Sequence, residues 1–275
     1  MSDTPEDGWK GHSRWCRQIV VRRVGNMLTY ALAQGAAGML APHLERSWDL
    51  FHHSEIAHAR AQQRLARSGL IAEITRKGEI VLELTPEGEA ALPPFVRPTR
   101  EWDRTWNGIW YFFCYDVPES HRHHRDVIRA ALRQRRFGQF QKSMWIGPWD
   151  IRPWFDDLRQ AAGITDYGML FEARTVMGIA DERLVMQAWP WDDIDRAQTA
   201  YLHEAERTLE GWRQATPSAD AVKEAIRGET MAYIQAMRND PLLPRRLWPR
   251  GYRGEQVFAA HADFLKTASR LTRTR

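Results

Sequence analysis

Arg60, Gln63, Arg64 and Arg67 lie three, four and seven residues apart in SEIAHARAQQRLARS, a spacing that puts them on the outer side of one helix. Arginine and glutamine pair bidentately with guanine and adenine edges, and arginine also meets phosphates. The chemistry on offer is recognition of duplex nucleic acid. Ser54 is a suitable N-cap and Gly69 a suitable stop, which predicts a helix over 54–68 with Ile56, Ala61 and Leu65 toward the core. Two alternating runs follow, Ile71 to Thr75 and Glu79 to Leu84, flanking Lys77-Gly78, and this pattern predicts a β-hairpin. Arg76 and Lys77 sit at its tip, where they would meet the nucleic-acid backbone. Residues 17–34 carry apolar residues at helical spacing, so the order is helix, helix, hairpin, as in a winged helix-turn-helix. An arginine-rich helix taken alone is more often a solvated face; the hairpin directly after it tips the reading toward DNA.

A second set of charges follows Pro118. Arg122, Arg125, Arg129, Arg133 and Arg136 recur at spacings of three and four and line one side of a helix predicted from about His121 to Arg136, with Ile128, Ala131 and Leu132 on another. From Arg122 to Lys142 seven Lys or Arg face a single acid, Asp126. Two readings stay open: contact with phosphates of DNA or of a nucleotide-like ligand, or a solvated face. Asp116 closes an apolar strand and would hold a divalent ion only if a second chain supplied another carboxylate; an isolated Asp there is more often a cap or turn residue. His121, His123 and His124 have no metal-ligand spacing to a nearby carboxylate, so no metal site and no cofactor are expected. GxGxxG, GxxxxGK[ST], GxSxG and HExxH are all absent. The expectation is a protein that is not an enzyme.

The elements that must position these residues fall into three expected parts of an α+β chain. Three prolines within LPPFVRPTREW mark a linker that closes a first unit, 1–98. A second, 99–191, opens with the dense strand IWYFFCYDV, continues through the arginine-rich helix to FQKSMWIGPW as its next strand, and ends with GMLFEARTV and a strand-like ERLVMQAW. That order is compatible with a ferredoxin-like β-α-β-β-α-β unit. A helical third, 192–275, carries helices over 193–215, 217–237 and 254–269.

A chain of 275 residues with 43% hydrophobic and 27% charged residues has the make-up of folded globular domains. The formal charge of +4, from 39 Lys and Arg against 35 Asp and Glu, permits a polyanionic partner without demanding one. Cys16 and Cys114 stand far apart, which supports neither a disulfide framework nor a zinc finger and fits a reducing, cytoplasmic setting. No stretch approaches the roughly 20 apolar residues that cross a bilayer, so no membrane partner is expected. Thirteen tryptophans point to aromatic anchors in the core.

These segments resemble the PaaX family, regulators of phenylacetate catabolism. ARAQQRLARSGLI resembles the family's recognition helix. WNGIW followed by VPESHRHHRDVIRAALRQRRFGQF resembles the start of its central domain, and WIGP a recurring turn there. NDPLLPRRLWPRGYRGEQVF is similar to its C-terminal signature, here Asp240-Pro241, Leu243-Pro244 and Leu247-Trp248-Pro249. YDVPES and FGQFQKSMWIG also resemble the small CRISPR-adaptation endonuclease, with Asp116 matching its metal-binding aspartate. The PaaX resemblance implies a homodimeric repressor on a double-stranded operator, released by an acyl-CoA such as phenylacetyl-CoA. The nuclease resemblance implies the alternative, a metal-dependent nuclease or a CRISPR-related nucleic-acid adaptor.

Overall fold

The computed structural model describes residues 26–36, 38–40, 50, 54–76, 78–155 and 168–273. By their internal contacts the residues gather into two compact units, one of Met1–Val96, Glu204–Ala232 and Ala259–Arg275, the other of Arg97–His203 and Tyr233–Phe258. The C-terminal helices contribute to both. Among the described residues no helix is long and apolar enough to cross a membrane.

In the first unit, helix α1 (Asn26–Ala36) occupies the later part of the predicted 17–34 segment; residues 17–25 lie outside the described residues. Helix α2 (Glu55–Arg67) starts where Ser54 accepts the Ala57 N–H and ends on Gly69, whose φ of +69° lets the Leu70 N–H reach back to the Leu65 carbonyl. Strand β1 (Ile71–Arg76) pairs antiparallel with β2 (Glu79–Leu84), Ile71 opposite Leu84 and Arg76 opposite Glu79. Gly78, at φ +82°, adopts the left-handed geometry that so tight a reversal demands. Helix α3 (Pro86–Ala91) begins at Thr85, whose hydroxyl accepts the Gly88 N–H and donates to the Gly69 carbonyl at 2.6 Å. Leu32, Leu65, Leu70, Ile71 and Ala91 form the small core beneath. The proline-rich segment after α3 is built of short turns that bury Val96 and Trp102, the latter in helix α4 (Thr99–Trp102).

The second unit is centred on a four-stranded antiparallel sheet. Its strands are β3 (Trp110–Tyr115), β4 (Gly138–Gln141), β5 (Met144–Gly147) and β6 (Gly168–Ala173), in the order β4-β5-β3-β6. The segment FQKSMWIGPW, expected as one strand, closes the β4–β5 hairpin instead, reversing at Lys142-Ser143. Helix α5 (Arg122–Gln134) links β3 to β4. A β-α-β-β order with a last strand returning beside the first is the one a split β-α-β arrangement produces; residues 156–167, before β6, lie outside the described residues. Central strand β3 is apolar at nearly every position because both sheet faces are covered. Trp110 and Phe112 join Ile146, Leu184, Val185, Ala188 and Trp189 in one core.

Helix α6 (Asp181–Ala188) corrects the strand expected at ERLVMQAW. Leu184, Val185 and Ala188 are buried while Met186 is exposed, a helical rather than a two-residue period. Helices α7 (Trp191–Gln214), α8 (Ala219–Arg238) and α9 (Gly254–Arg273) match the three expected C-terminal helices within a few residues.

Candidate nucleic-acid interface

The exposed side of α2 carries Arg60, Gln63, Arg64 and Arg67, all on the surface, while Ala61 and Leu65 are buried beneath. Ile56 departs from expectation: it is 66% exposed. Five residues separate it from Ala61, which rotates it by about 140° around a helix of 3.6 residues per turn. Ile56, Arg60, Gln63 and Arg67, spaced by four, three and four, therefore share one outward stripe. His58 and Gln62 lie half-buried on the other side, the Gln62 amide donating to His58 Nε2 at 2.9 Å. Burial lowers the His58 pKa from its ordinary value. Of the expected hairpin contacts, Arg76 ends β1 and Lys77 lies outside the described residues.

What holds α2 in place is partly local and partly remote. The caps and the Leu65-centred core are local. The remote support comes through α1, whose Leu32 enters that core and whose Tyr30 hydroxyl lies 2.6 Å from His261 Nε2 on α9. His261 Nδ1 donates to Glu229 Oε1 on α8 at 2.7 Å. All three side chains are buried, so this polar chain fixes α1 against the two C-terminal helices of its unit. No local sequence signal marks it, since its members are 32 and 231 residues apart.

The five arginines around α5 do not form one open stripe. Arg125 donates to the Val117 carbonyl at 2.9 Å and pairs with Glu119 at 3.0 Å. Arg129 donates to the Tyr115 hydroxyl at 3.1 Å and lies 3.9 Å from Asp126. Arg133 is exposed, with its guanidinium 5.8 Å from the centre of the Trp145 ring, and Arg122 is exposed at the start of the helix. Arg136 leaves the helix altogether. The helix ends at Gln134, the Phe137 N–H reaches back to the Leu132 carbonyl, and Arg136 takes the left-handed position between them at φ +61°. Glycine is the usual occupant there. Its side chain instead runs inward to the backbone carbonyl of Asp240, which removes it from the expected phosphate-contacting set.

Asp240 is the centre that sequence reasoning passes over, although it lies in the C-terminal signature. Fully buried, it accepts the Leu242 N–H at 2.7 Å on Oδ1, the Gln198 amide at 2.6 Å on Oδ2, and the Tyr252 hydroxyl at 2.9–3.0 Å on both oxygens. The Trp102 indole N–H donates in turn to Tyr252 at 3.1 Å. Burial pushes the Asp240 carboxyl up and the Arg136 guanidinium down, and their mutual attraction opposes both shifts. Burial also drives Tyr252 well above the usual phenol range. The Asp-Pro and Leu-Pro motif thus builds an internal tie, with Leu242 itself held at φ +49°.

Asp116 is exposed just beyond β3, and among the described residues no three His, Cys, Asp or Glu side chains gather as metal ligands would. At the start of α5 the His124 ring lies tilted against those of His123 and His121, with ring centres 3.8 and 5.7 Å away.

Comparison with known proteins bears on the sheet-bearing unit. No curated protein matches the chain. Among solved structures it is similar to an uncharacterized protein, Rv0674, from Mycobacterium tuberculosis, at 18% identity and a TM-score of 0.52, over 91% of this chain and 97% of that one; this likeness is one of fold. Residues 103–185 match the family described as the PaaX protein central Cas2-like domain. They begin at the turn before β3 and end within α6, taking in the whole sheet together with α5. The likeness to the PaaX central Cas2-like domain therefore lies in residues 103–185, the part of the chain that carries the four-stranded sheet.

Proposed function

We propose that this chain is a PaaX-type transcriptional repressor that binds a double-stranded operator as a homodimer in the cytoplasm and is not an enzyme. The division of labour follows the three expected parts: 1–98 as the winged helix-turn-helix, 99–191 as the ferredoxin-like domain and 192–275 as helical support. The observation that carries this reading is α2. Its apolar side is locked into a core, both ends are capped, a hairpin follows at once, and Arg60, Gln63, Arg64 and Arg67 stand on the open side. A rigid helix with such a side chain set is what major-groove reading needs, with a wing beside it for the backbone. Arg76 and Lys77 are assigned to that wing contact.

Release by an acyl-CoA rests on the family resemblance. Arg122 and Arg133, the two exposed arginines of the α5 set, are the ones we assign to a phosphate of such a ligand. Phenylacetyl-CoA added to a preformed complex tests this, with free coenzyme A beside it.

The interface itself is tested by titrating a duplex from the chain's own promoter region with the wild type and with Arg60→Ala and Arg64→Ala. Each variant is expected to weaken binding by about 1–3 kcal/mol, the worth of one good base contact. Wild-type affinity should fall linearly with salt on logarithmic axes, with a slope of about −0.9 per neutralised phosphate. Unchanged affinity in both variants would remove α2 from the interface.

A further inference from the structure

We infer that Ile56 is a base-reading residue, making an apolar contact with the C5-methyl group of a thymine in the major groove. The inference rests on the proposed α2 interface and goes beyond it by assigning a base identity to one position of the operator. Three observations carry it. Ile56 is 66% exposed although it sits on an otherwise well-packed helix. It shares its outward stripe with Arg60, Gln63 and Arg67 through spacings of four, three and four. It also lies in the first turn of α2, behind the Ser54 cap, and the N-terminal residues of a recognition helix are the ones that approach base edges.

The major-groove edge of every base pair offers hydrogen-bonding atoms, and thymine adds to its O4 acceptor a C5-methyl group, the one apolar group exposed there. A branched aliphatic side chain among Arg and Gln has no hydrogen bond to make; its complement in that groove is the methyl. In the free protein the side chain is hydrated, and contact with a thymine would take both apolar groups out of water. The stripe would then read a step of mixed chemistry: a methyl met by Ile56, and hydrogen-bonding edges met by Arg60 and Gln63.

Uracil differs from thymine only by lacking that methyl, which gives a direct test with the full chain. A duplex is first selected from a random pool by the wild-type protein, and its thymines are then replaced by uracil one at a time. Wild type is expected to lose about fourfold in affinity at one thymine, or at its symmetry mate, the equivalent of one buried methyl group at ~0.8 kcal/mol. Ile56→Ala is expected to bind the all-thymine duplex about fourfold more weakly and to lose nothing further at that uracil. Met231→Ala, which removes another exposed apolar side chain of the same unit, should keep the wild-type uracil response. Indifference of the wild type to every uracil, or an unchanged uracil response in Ile56→Ala, overturns the inference while leaving the α2 interface standing. If Arg60→Ala and Arg64→Ala both bind the selected duplex as tightly as wild type, or if no sequence is enriched over the random pool, the interface and the inference fall together.

Discussion

Helices α2 and α5 carry nearly the same signal, arginines repeating every three or four residues, yet their guanidinium groups have different occupations. On α2 the outward stripe stays on the surface. On α5, Arg125 and Arg129 bind the end of β3 and the turn after it, and Arg136, just past the helix, enters a buried site around Asp240. The density of positive charge is higher around α5, and more of it is spent on holding the fold. What separates the two is the neighbourhood. Helix α5 packs beside strand ends that leave the Val117 carbonyl and the Tyr115 hydroxyl to be satisfied, and buried polar groups are paired almost without exception. Helix α2 satisfies its own ends through Ser54 and Gly69, so its termini place no such demand on its arginines.

The largest effect expected from this contrast is at Arg136. Removing a charged donor from a backbone carbonyl costs on the order of 1.5–3 kcal/mol, a large share of the stability of any domain. Arg136→Ala should lower the urea midpoint accordingly. Arg136→Gly loses the same Asp240 contact but relieves the left-handed backbone, so it should be less damaging by about 1 kcal/mol. Equal losses in the two variants would mean that the backbone stores no strain. Wild-type stability in both would mean that the Arg136–Asp240 contact holds nothing together.

A smaller effect sharpens the same comparison by exchange. Arg125→Ala and Arg129→Ala should each cost about 1 kcal/mol of stability, the usual net worth of a hydrogen bond, and leave DNA binding as it was. Arg60→Ala should do the reverse, weakening DNA binding by about 1–3 kcal/mol and leaving the urea midpoint within about 0.5 kcal/mol of wild type. If the two helices answered alike in both measurements, the distinction drawn from their geometry would be void.

What can be read from sequence divides along the same line. Helix α2 and its hairpin are legible because their determinants are local: Ser54, Gly69, the alternation of β1 and β2, and Gly78 in the turn. Strand β3 announces itself through continuous apolar character. The β4–β5 reversal is hidden because Lys142-Ser143 carries no turn-forming glycine or asparagine. Helix α6 reads as a strand because eight residues with Val and Trp show too few turns to reveal their period. Apolarity alone places Ile56 inward, whereas its angle relative to Ala61 and Leu65 sends it outward. The Arg136–Asp240 contact joins residues 104 positions apart, and no local pattern can announce it. The C-terminal motif is recognisable as a pattern, but its physical purpose shows only in three dimensions.

The smallest expected effect concerns the inner side of α2, which serves the fold just as most of the α5 arginines do. His58 accepts a hydrogen bond from Gln62 and is half-buried, and burial lowers its pKa below the ordinary 6.5. As pH falls from 8, the unfolded chain takes up this proton first, so the unfolded state gains relative to the folded one. The contribution of His58 is thus intact above about pH 6.5, declines through the window between that value and the lowered folded one, and is a constant penalty below it. Protonation also removes the lone pair that Gln62 uses. His58→Gln, which cannot titrate, should therefore lose less stability than wild type between pH 8 and pH 5 in urea denaturation. A greater acid sensitivity in the variant would show that His58 gains a proton more easily in the folded chain, and that the inner side of α2 is not the closed, apolar support on which its outer, DNA-facing side is proposed to rest.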